Sequence, residues 1–592
     1  MLKLRRLPLI AVVVLATASL PAAPLSASQA ATGRRATRTL PPLSSAPRDS
    51  LTRALVRGNI SEARYALERA VSLFDRESIS LRYGRVSPAP TGEATLLLRD
   101  LAVRVEQLGP AQQRTARRVL ARPTDGSNPF PSADYGSAKA KHKCSRSFAL
   151  CFFWAAKGRH APNPKDSNPS NNVPDWVDKT IKEFEKVWRG EVITQGYRPP
   201  KRDKRSRHHG PNGYTDIYLS DLGDEQVYGY CTTDDPHAAY LETDRYPYSD
   251  VSAYCVVDED FSRTQFPDKD PVTNLRVTAA HEFFHAIQFA YDFYEDAWFM
   301  EGTAVAMEDQ IYDGANDNYQ YLPASPLVQP EVPIDRSSND FSTDAFLNRY
   351  GAWVFWRFLT EYLTDGGARD PKVIREVWEY ADGSRHGQKN LYSLKAAVAV
   401  ANDHATDFQD LFADFGAFDY IADLFYEEGS AYQQYVNFQC APSNSGCTTS
   451  DGGRPPFTAK FLMAPNTTSG RRTHKIDHLA TRYVQFTPEG VSTAATLNID
   501  LDAPDPDRGG IATLLVFEDT ETPSFYRFTL DENGDGTLVV PFGTATKGVL
   551  VLTNASTNLK CGKQQPRVST ACQGLPEDDD APYVYTATLL DP

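Results

Sequence analysis

His281 and His285 stand four positions apart in His281-Glu282-Phe283-Phe284-His285. From Thr273 to Tyr291 the chain reads T-N-L-R-V-T-A-A-H-E-F-F-H-A-I-Q-F-A-Y, without Gly or Pro. Residues of this kind favour a helix, and apolar side chains on nearly every side mean a buried one. Residues four apart lie one above the other on one helical face. Two imidazoles and a carboxylate inside a core need partners. A metal supplies them: both His converge on one Zn2+, and Glu282 is placed to reach water there. The alternative is a core helix with two otherwise satisfied histidines.

A third ligand is needed, and Trp298-Phe299-Met300-Glu301-Gly302-Thr303-Ala304 offers one. Fifteen residues separate His285 from Glu301. The polar stretch Asp292–Asp296 makes a turn, and Trp298 to Ile311 reads as a second helix that returns Glu301 to the metal. Two His and one Glu leave a fourth position open, as in catalytic zinc sites. Glu308 is the rival third ligand. Otherwise Glu308 or Asp309 orients a ligand His.

H-E-x-x-H followed by W-x-x-E-G-x-A resembles the gluzincin zinc peptidases, the superfamily of thermolysin and aminopeptidase N. Over most of its length the segment order is similar to an uncharacterised family of secreted bacterial metalloproteases. The order includes Asp216-Ile217-Tyr218-Leu219-Ser220-Asp221-Leu222-Gly223 before the helix and Tyr350-Gly351 after it. The resemblance implies peptide hydrolysis, with His281, His285 and Glu301 holding Zn2+ and Glu282 as general base. It also implies that Tyr350 helps hold the oxyanion; the other reading is an aromatic core position. There are departures. Val305 stands where thermolysin-like chains have Asp, the His-to-Glu linker is short, and no G-x-M-E-N strand is present. The last favours an endopeptidase, with protein or peptide as substrate; the alternatives are a catalytically inactive peptidase-fold binding or adhesion protein and a zinc hydrolase of another bond type. Ser252–Val257 reads as a strand, and the resemblance makes it either the cleft edge or an interior strand. Asp258, Glu259 and Asp260 read as a solvated acidic turn, with structural Ca2+ as the alternative.

Lys3, Arg5 and Arg6 precede an apolar run from Leu7 to Leu20, so residues 1–28 read as a signal peptide of an exported, extracellular protein. No other stretch is apolar enough to span a membrane. Eight cysteines then suggest four disulfides. Pairing sequence neighbours gives Cys144–Cys151, Cys231–Cys255, Cys440–Cys447 and Cys561–Cys572, although the count fits other connectivities. A sharper alternative makes Cys144 or Cys151 a thiolate cap on the zinc of a zymogen.

Residues 31–122 hold 17 Arg, no Lys and 8 acidic residues, while the whole chain has a net charge of −14. A basic piece facing an acidic remainder is held partly by electrostatics. Residues 29–130 therefore read as a helical region: a propeptide or intramolecular inhibitory segment, or else a permanent domain. Aromatic residues are sparse there, which argues against nucleic acid as a partner.

The expected architecture is multidomain α+β. A helical N-terminal region precedes a zincin (gluzincin-like) catalytic domain at residues 143–430, whose second half is a helical lobe. An antiparallel β-sandwich follows at residues 448–592. Asp531–Gly536 starts like a calcium loop but lacks the closing Glu, and reads as a hairpin turn. The run Lys201–His209 reads as a solvated loop or a processing site.

Overall fold

The computed structural model describes residues 49–592 apart from 88–93, 129, 207–209, 337–343, 365–368, 388, 441–446, 519–521, 562–571 and 573. The segment 1–28, read from sequence as a signal peptide, lies outside the described residues, as do His208 and His209. The described chain is mixed α+β, built in successive helical, sheet-containing and all-β portions.

Five helices come first: α1 (Ser50–Val56), α2 (Glu62–Phe74), α3 (Arg76–Tyr83), α4 (Ala94–Ala102) and α5 (Pro110–Val119). Ser61 and Asp75 cap α2 and α3 by accepting the backbone N–H of Arg64 and Ser78. The apolar faces of these helices are inside: Ala63, Ala66, Leu67 and Ala70 on α2, with Leu97 and Leu101 on α4.

A five-stranded sheet follows, made of β1 (Ala140–Cys144), β2 (Leu150–Ala155), β3 (Thr215–Ser220), β4 (Gly229–Thr232) and β5 (Tyr254–Asp258). Its order is β1-β2-β3-β5-β4. The central strands β2, β3 and β5 run parallel, and β1 and β4 close the edges antiparallel. The expected strand before the His281 helix is thus interior, and the edge is β4. Cys231 faces Cys255 across β4 and β5, and their disulfide holds the edge down.

Helices α6 (Asp175–Trp188), α7 (Pro271–Tyr291) and α8 (Ala297–Tyr312) come next in the core. Pro271 opens α7, and Asp270 caps it through the N–H groups of Val272 and Thr273. α7 packs against β4, β5, α6 and α8. Seven further helices complete the helical part: α9 (Asn348–Gly351), α10 (Trp353–Tyr362), α11 (Lys372–Tyr380), α12 (Ser393–Asp403), α13 (Phe408–Tyr420), α14 (Ala422–Phe425) and α15 (Gly429–Gln439). One buried apolar core includes Leu51 and Leu97, Phe152 and Val256, Phe283 and Phe355. The N-terminal helices share it rather than packing around a core of their own.

The last portion is a sandwich of β6 (Phe457–Met463), β7 (Arg472–Ile476), β8 (Ala480–Pro488), β9 (Thr496–Asp502), β10 (Gly510–Phe517), β11 (Ser524–Arg527), β12 (Asp535–Pro541), β13 (Lys547–Asn554) and β16 (Ala581–Leu590). A small pair, β14 (Leu559–Lys560) and β15 (Leu575–Pro576), stands beside it. The two sheets run β11-β10-β13-β8-β6 and β12-β9-β16-β7. One pairing departs from the antiparallel expectation, since β6 and β8 are parallel. The Asp531–Gly536 turn joins strands of opposite sheets and is not a hairpin. Asp531 folds back on it, accepting the N–H groups of Asn533 and Asp535. Alternation along β10 and β13 sends Leu514 and Leu550 inward and Leu515 and Val549 outward. The outward set packs on α13 beside Tyr420, and Tyr483 donates to the Gly416 carbonyl at 2.6 Å.

The four neighbour disulfides are present. Cys144–Cys151 ties β1 to β2 at the sheet edge away from β4, so neither sulfur serves as a metal cap. Among the described residues no helix is long and apolar enough to cross a membrane.

Candidate metal centre

His281, Glu282 and His285 are buried on α7, and Glu301 is fully buried near the start of α8. The short turn between the two helices brings Glu301 Oε2 to 3.2 Å from His281 Nε2 and 3.7 Å from His285 Nε2. One donor atom from each of the three residues falls within 4.8 Å of the others. His281 Nε2, His285 Nε2 and both Glu301 oxygens are buried without a hydrogen-bond partner. Each such orphan costs about 1–3 kcal/mol. One from each residue converges with the others, a donor set suited to a metal ion.

The far side of each imidazole fixes its tautomer. Gln288 donates through Nε2 to the Met300 carbonyl at 2.9 Å and to Thr303 Oγ1 at 3.1 Å. Its Oε1 must therefore accept, and it takes the Nδ1–H of His285 at 2.7 Å. Glu308 takes the Nδ1–H of His281, also at 2.7 Å. Both Nε2 atoms are left with lone pairs turned inward. Glu308 thus lies on the outer side of His281, and Glu301 faces the centre. Asp309 pairs instead with Arg357 at 2.6 Å.

Glu282 points towards the sheet edge. Burial raises its carboxyl above the ordinary range, and the neighbouring His281 and His285 pull it back down. Gly229 of β4 sits directly on this stretch of α7. A Cβ there would stand 2.8 Å from Thr278 Cγ2 and 3.2 Å from Glu282 Cγ. Glycine lets the edge strand lie against Glu282.

Tyr350 lies beside the centre. Its ring stacks near His281, with centroids 6.5 Å apart, and on Tyr321 at 5.0 Å. The following Gly351 permits this, because a Cβ there would come within 2.3 Å of the Ala324 carbonyl oxygen.

One participant comes from the N-terminal helices. Fully buried Thr95 of α4 donates to Glu282 Oε2 at 3.0 Å and accepts the Cys231 N–H of the edge strand at 2.9 Å. Arg99, one turn on, donates to the Glu295 carbonyl at 2.7 Å, just before α8. Arg122 sits among three aspartates, donating to Asp203 at 3.0 Å, to Asp234 at 2.9 Å and to Asp216. Other arginines of the basic region pair within it, as Arg69 does with Asp49 and Arg82 with Glu68. The charge asymmetry therefore acts at the boundary through a few buried contacts. The Lys201–His209 loop is not simply solvated either: Lys201 bonds the Asp250 carbonyl and buried Asp203 holds Arg122.

Glu308 takes the orienting place that the sequence offered it as an alternative, while Gln288 was marked only as a polar residue on a largely apolar stretch of helix. Nothing near position 95 marked Thr95.

No known protein family and no curated protein matches the chain. Among solved structures, the chain is similar to a pre-peptidase C-terminal domain of a collagenase from Bacillus anthracis. The identity is 14%, the match covers 23% of this chain and 96% of that one, and the TM-score is 0.13. A periplasmic lysozyme inhibitor from Aeromonas hydrophila matches at 9% identity, covering 22% and 98%, with a TM-score of 0.13. A family GH115 4-O-methyl-alpha-glucuronidase matches at 11% identity, covering 54% and 38%, also with a TM-score of 0.13. Likeness at this level carries no functional argument.

Proposed function

We propose that this chain is a secreted zinc-dependent endopeptidase of the gluzincin plan, held latent by its own N-terminal helices. The observation that carries the first part is the set of four buried, unpartnered donor atoms on His281, His285 and Glu301. Two imidazole nitrogens and a carboxylate suit Zn2+, and three protein ligands leave room for chemistry. When bound, zinc supplies Lewis acidity, acidifying water and polarising a carbonyl.

The remaining work falls to protein groups. Glu282, next to the donor set but outside it, takes a proton from the attacking water and returns it to the leaving amine. Gln288 and Glu308 hold the two imidazoles in the tautomer that turns Nε2 inward. Tyr350, whose ring lies 6.5 Å from that of His281, is the candidate donor to the oxyanion. The outer edge of β4, covered here by α4 through Thr95, would offer its backbone groups to an extended peptide once α4 moves away, and the peptide would add as a further strand.

Latency rests on Thr95. Its hydroxyl occupies both the base and the edge-strand N–H that substrate would use. The four disulfides suit an oxidising, extracellular setting.

Metal analysis of the purified full chain tests the ligand set. Wild type should carry one zinc per chain. Glu301→Ala should lose it, while Glu308→Ala should weaken zinc binding about 10–100-fold. Retention of full zinc by Glu301→Ala would remove Glu301 from the site.

A further inference from the structure

Parallel strands β3 and β5 end side by side, with Ser220 paired to Asp258. The next residue on each strand is acidic, Asp221 and Glu259. Adjacent strands lie about 4.8 Å apart, so the fold brings three carboxylates together where the chain leaves the sheet. One oxygen from each of Asp221, Asp258 and Glu259 lies within 4.8 Å of the others. The turn read from sequence as solvated is buried at its first two positions, Asp258 being 0% and Glu259 7% exposed.

Their partners are unequal. Asp258 accepts three backbone N–H groups, from Leu222 at 2.9 Å, Phe261 at 2.7 Å and Asp260 at 3.2 Å. Asp221 accepts from Arg159 at 3.0 Å and from Gln265 at 3.0 Å. Glu259 Oε2 is buried and has no hydrogen-bond partner, although it belongs to the same cluster. A carboxylate in that position needs a proton or a cation.

We infer that Asp221, Asp258 and Glu259 form a Ca2+ site that fastens the start of the β5–α7 connection. The donors are all oxygen, which selects a hard cation over zinc. Ca2+ holds its oxygens at about 2.3–2.6 Å, so oxygens sharing one ion stand at most about 5 Å apart, a limit that these three, all within 4.8 Å of one another, meet. Mg2+ demands a tighter, nearly ideal octahedron. A second acidic group, Asp309, Asp313 and Glu428, makes a useful contrast. Arg357 and Arg369 bond the buried Asp309 there, whereas in the first group Arg159 bonds only Asp221 and the buried Glu259 Oε2 keeps no partner. This site is separate from the zinc centre and stands whether or not that reading holds.

The test is calorimetric titration of CaCl2 into the zinc-loaded full chain, with the melting temperature followed in CaCl2 and in MgCl2. Wild type should bind one Ca2+, with a dissociation constant of about 0.1–1 mM, and melt higher in CaCl2 than in MgCl2. Glu259→Gln and Asp221→Asn should each weaken binding at least about tenfold, while Asp313→Asn leaves it unchanged. Should Glu259→Gln not fold, the more exposed Asp221→Asn decides. No Ca2+ heat and no melting shift at about 10 mM would overturn the proposal. So would equal Ca2+ binding by wild type and both variants, which would put the ion elsewhere.

Discussion

Thr95 and Glu282 lie 187 positions apart in the chain and share a hydrogen bond of 3.0 Å, inside the core. The same hydroxyl receives the outward N–H of Cys231. Replacing it with an isosteric methyl should therefore unlock two groups at once. Thr95→Val leaves a buried N–H and a carboxylate oxygen without this partner, at about 1–3 kcal/mol each. Hydrogen exchange across α4 should accelerate, and casein cleavage by the full chain should start sooner. Unchanged cleavage with faster exchange would mean that α4 does not limit access.

Arg122 is the firmest tie between the N-terminal helices and the sheet. Its guanidinium is fully buried against Asp203, Asp216 and Asp234. Removing one member of a buried charge cluster leaves the others uncompensated and costs about 3–5 kcal/mol. Arg122→Met should lower the unfolding free energy by that much, read from denaturant titration. Asp234, the partner with the most exposure, should tolerate Asn better.

Gly229 sets the distance between the edge strand and Glu282. Ala there must push β4 off α7, because Thr278 and the Val256 carbonyl leave no room. Overpacking of this kind costs about 1–3 kcal/mol. Gly229→Ala should lower the melting temperature, and it should reduce cleavage of extended substrates more than it reduces zinc content.

His478 joins the sandwich to the helical part. Its Nδ1 lies 2.7 Å from Asp579 and its Nε2 2.9 Å from Asp335. Burial works against its charge, but the two aspartates overcome this and push its pKa up to about 10. The folded value is raised, so the stabilisation is complete below the unfolded value of about 6.5. It fades as pH climbs towards 10. The melting advantage of wild type over His478→Gln should therefore shrink steadily from pH 6.5 to 10. A constant advantage would mean that His478 is neutral in the fold.

Much of this was legible in the sequence, for physical reasons. His281, Glu282 and His285 sit within one helical turn or so, where spacing alone dictates the face. Leu97 and Leu101 follow the same rule, as do the alternating residues of β10 and β13. Glu301 was readable because a short polar turn leaves little choice about where the next helix begins. Longer-range pairings were not readable. Nothing local distinguishes β4, four residues long, from a loop, and only pairing with β5 makes it the edge. Thr95 lies on an amphipathic helix whose sequence carries no trace of Glu282. The acidic turn after β5 misled for the same reason. Charge predicts solvent, but the parallel strand ends put Asp258 and Glu259 inside.

The central claim is tested most directly by comparing wild type with Glu282→Ala after the N-terminal helices have been removed by limited proteolysis. Zinc content and casein cleavage are recorded on the same samples. One zinc in each protein, with cleavage by wild type alone and a loss of at least about a hundredfold in the variant, is the predicted result. Zinc in both with equal cleavage, or with none in either, would contradict the assignment of Glu282 as the base of a zinc peptidase.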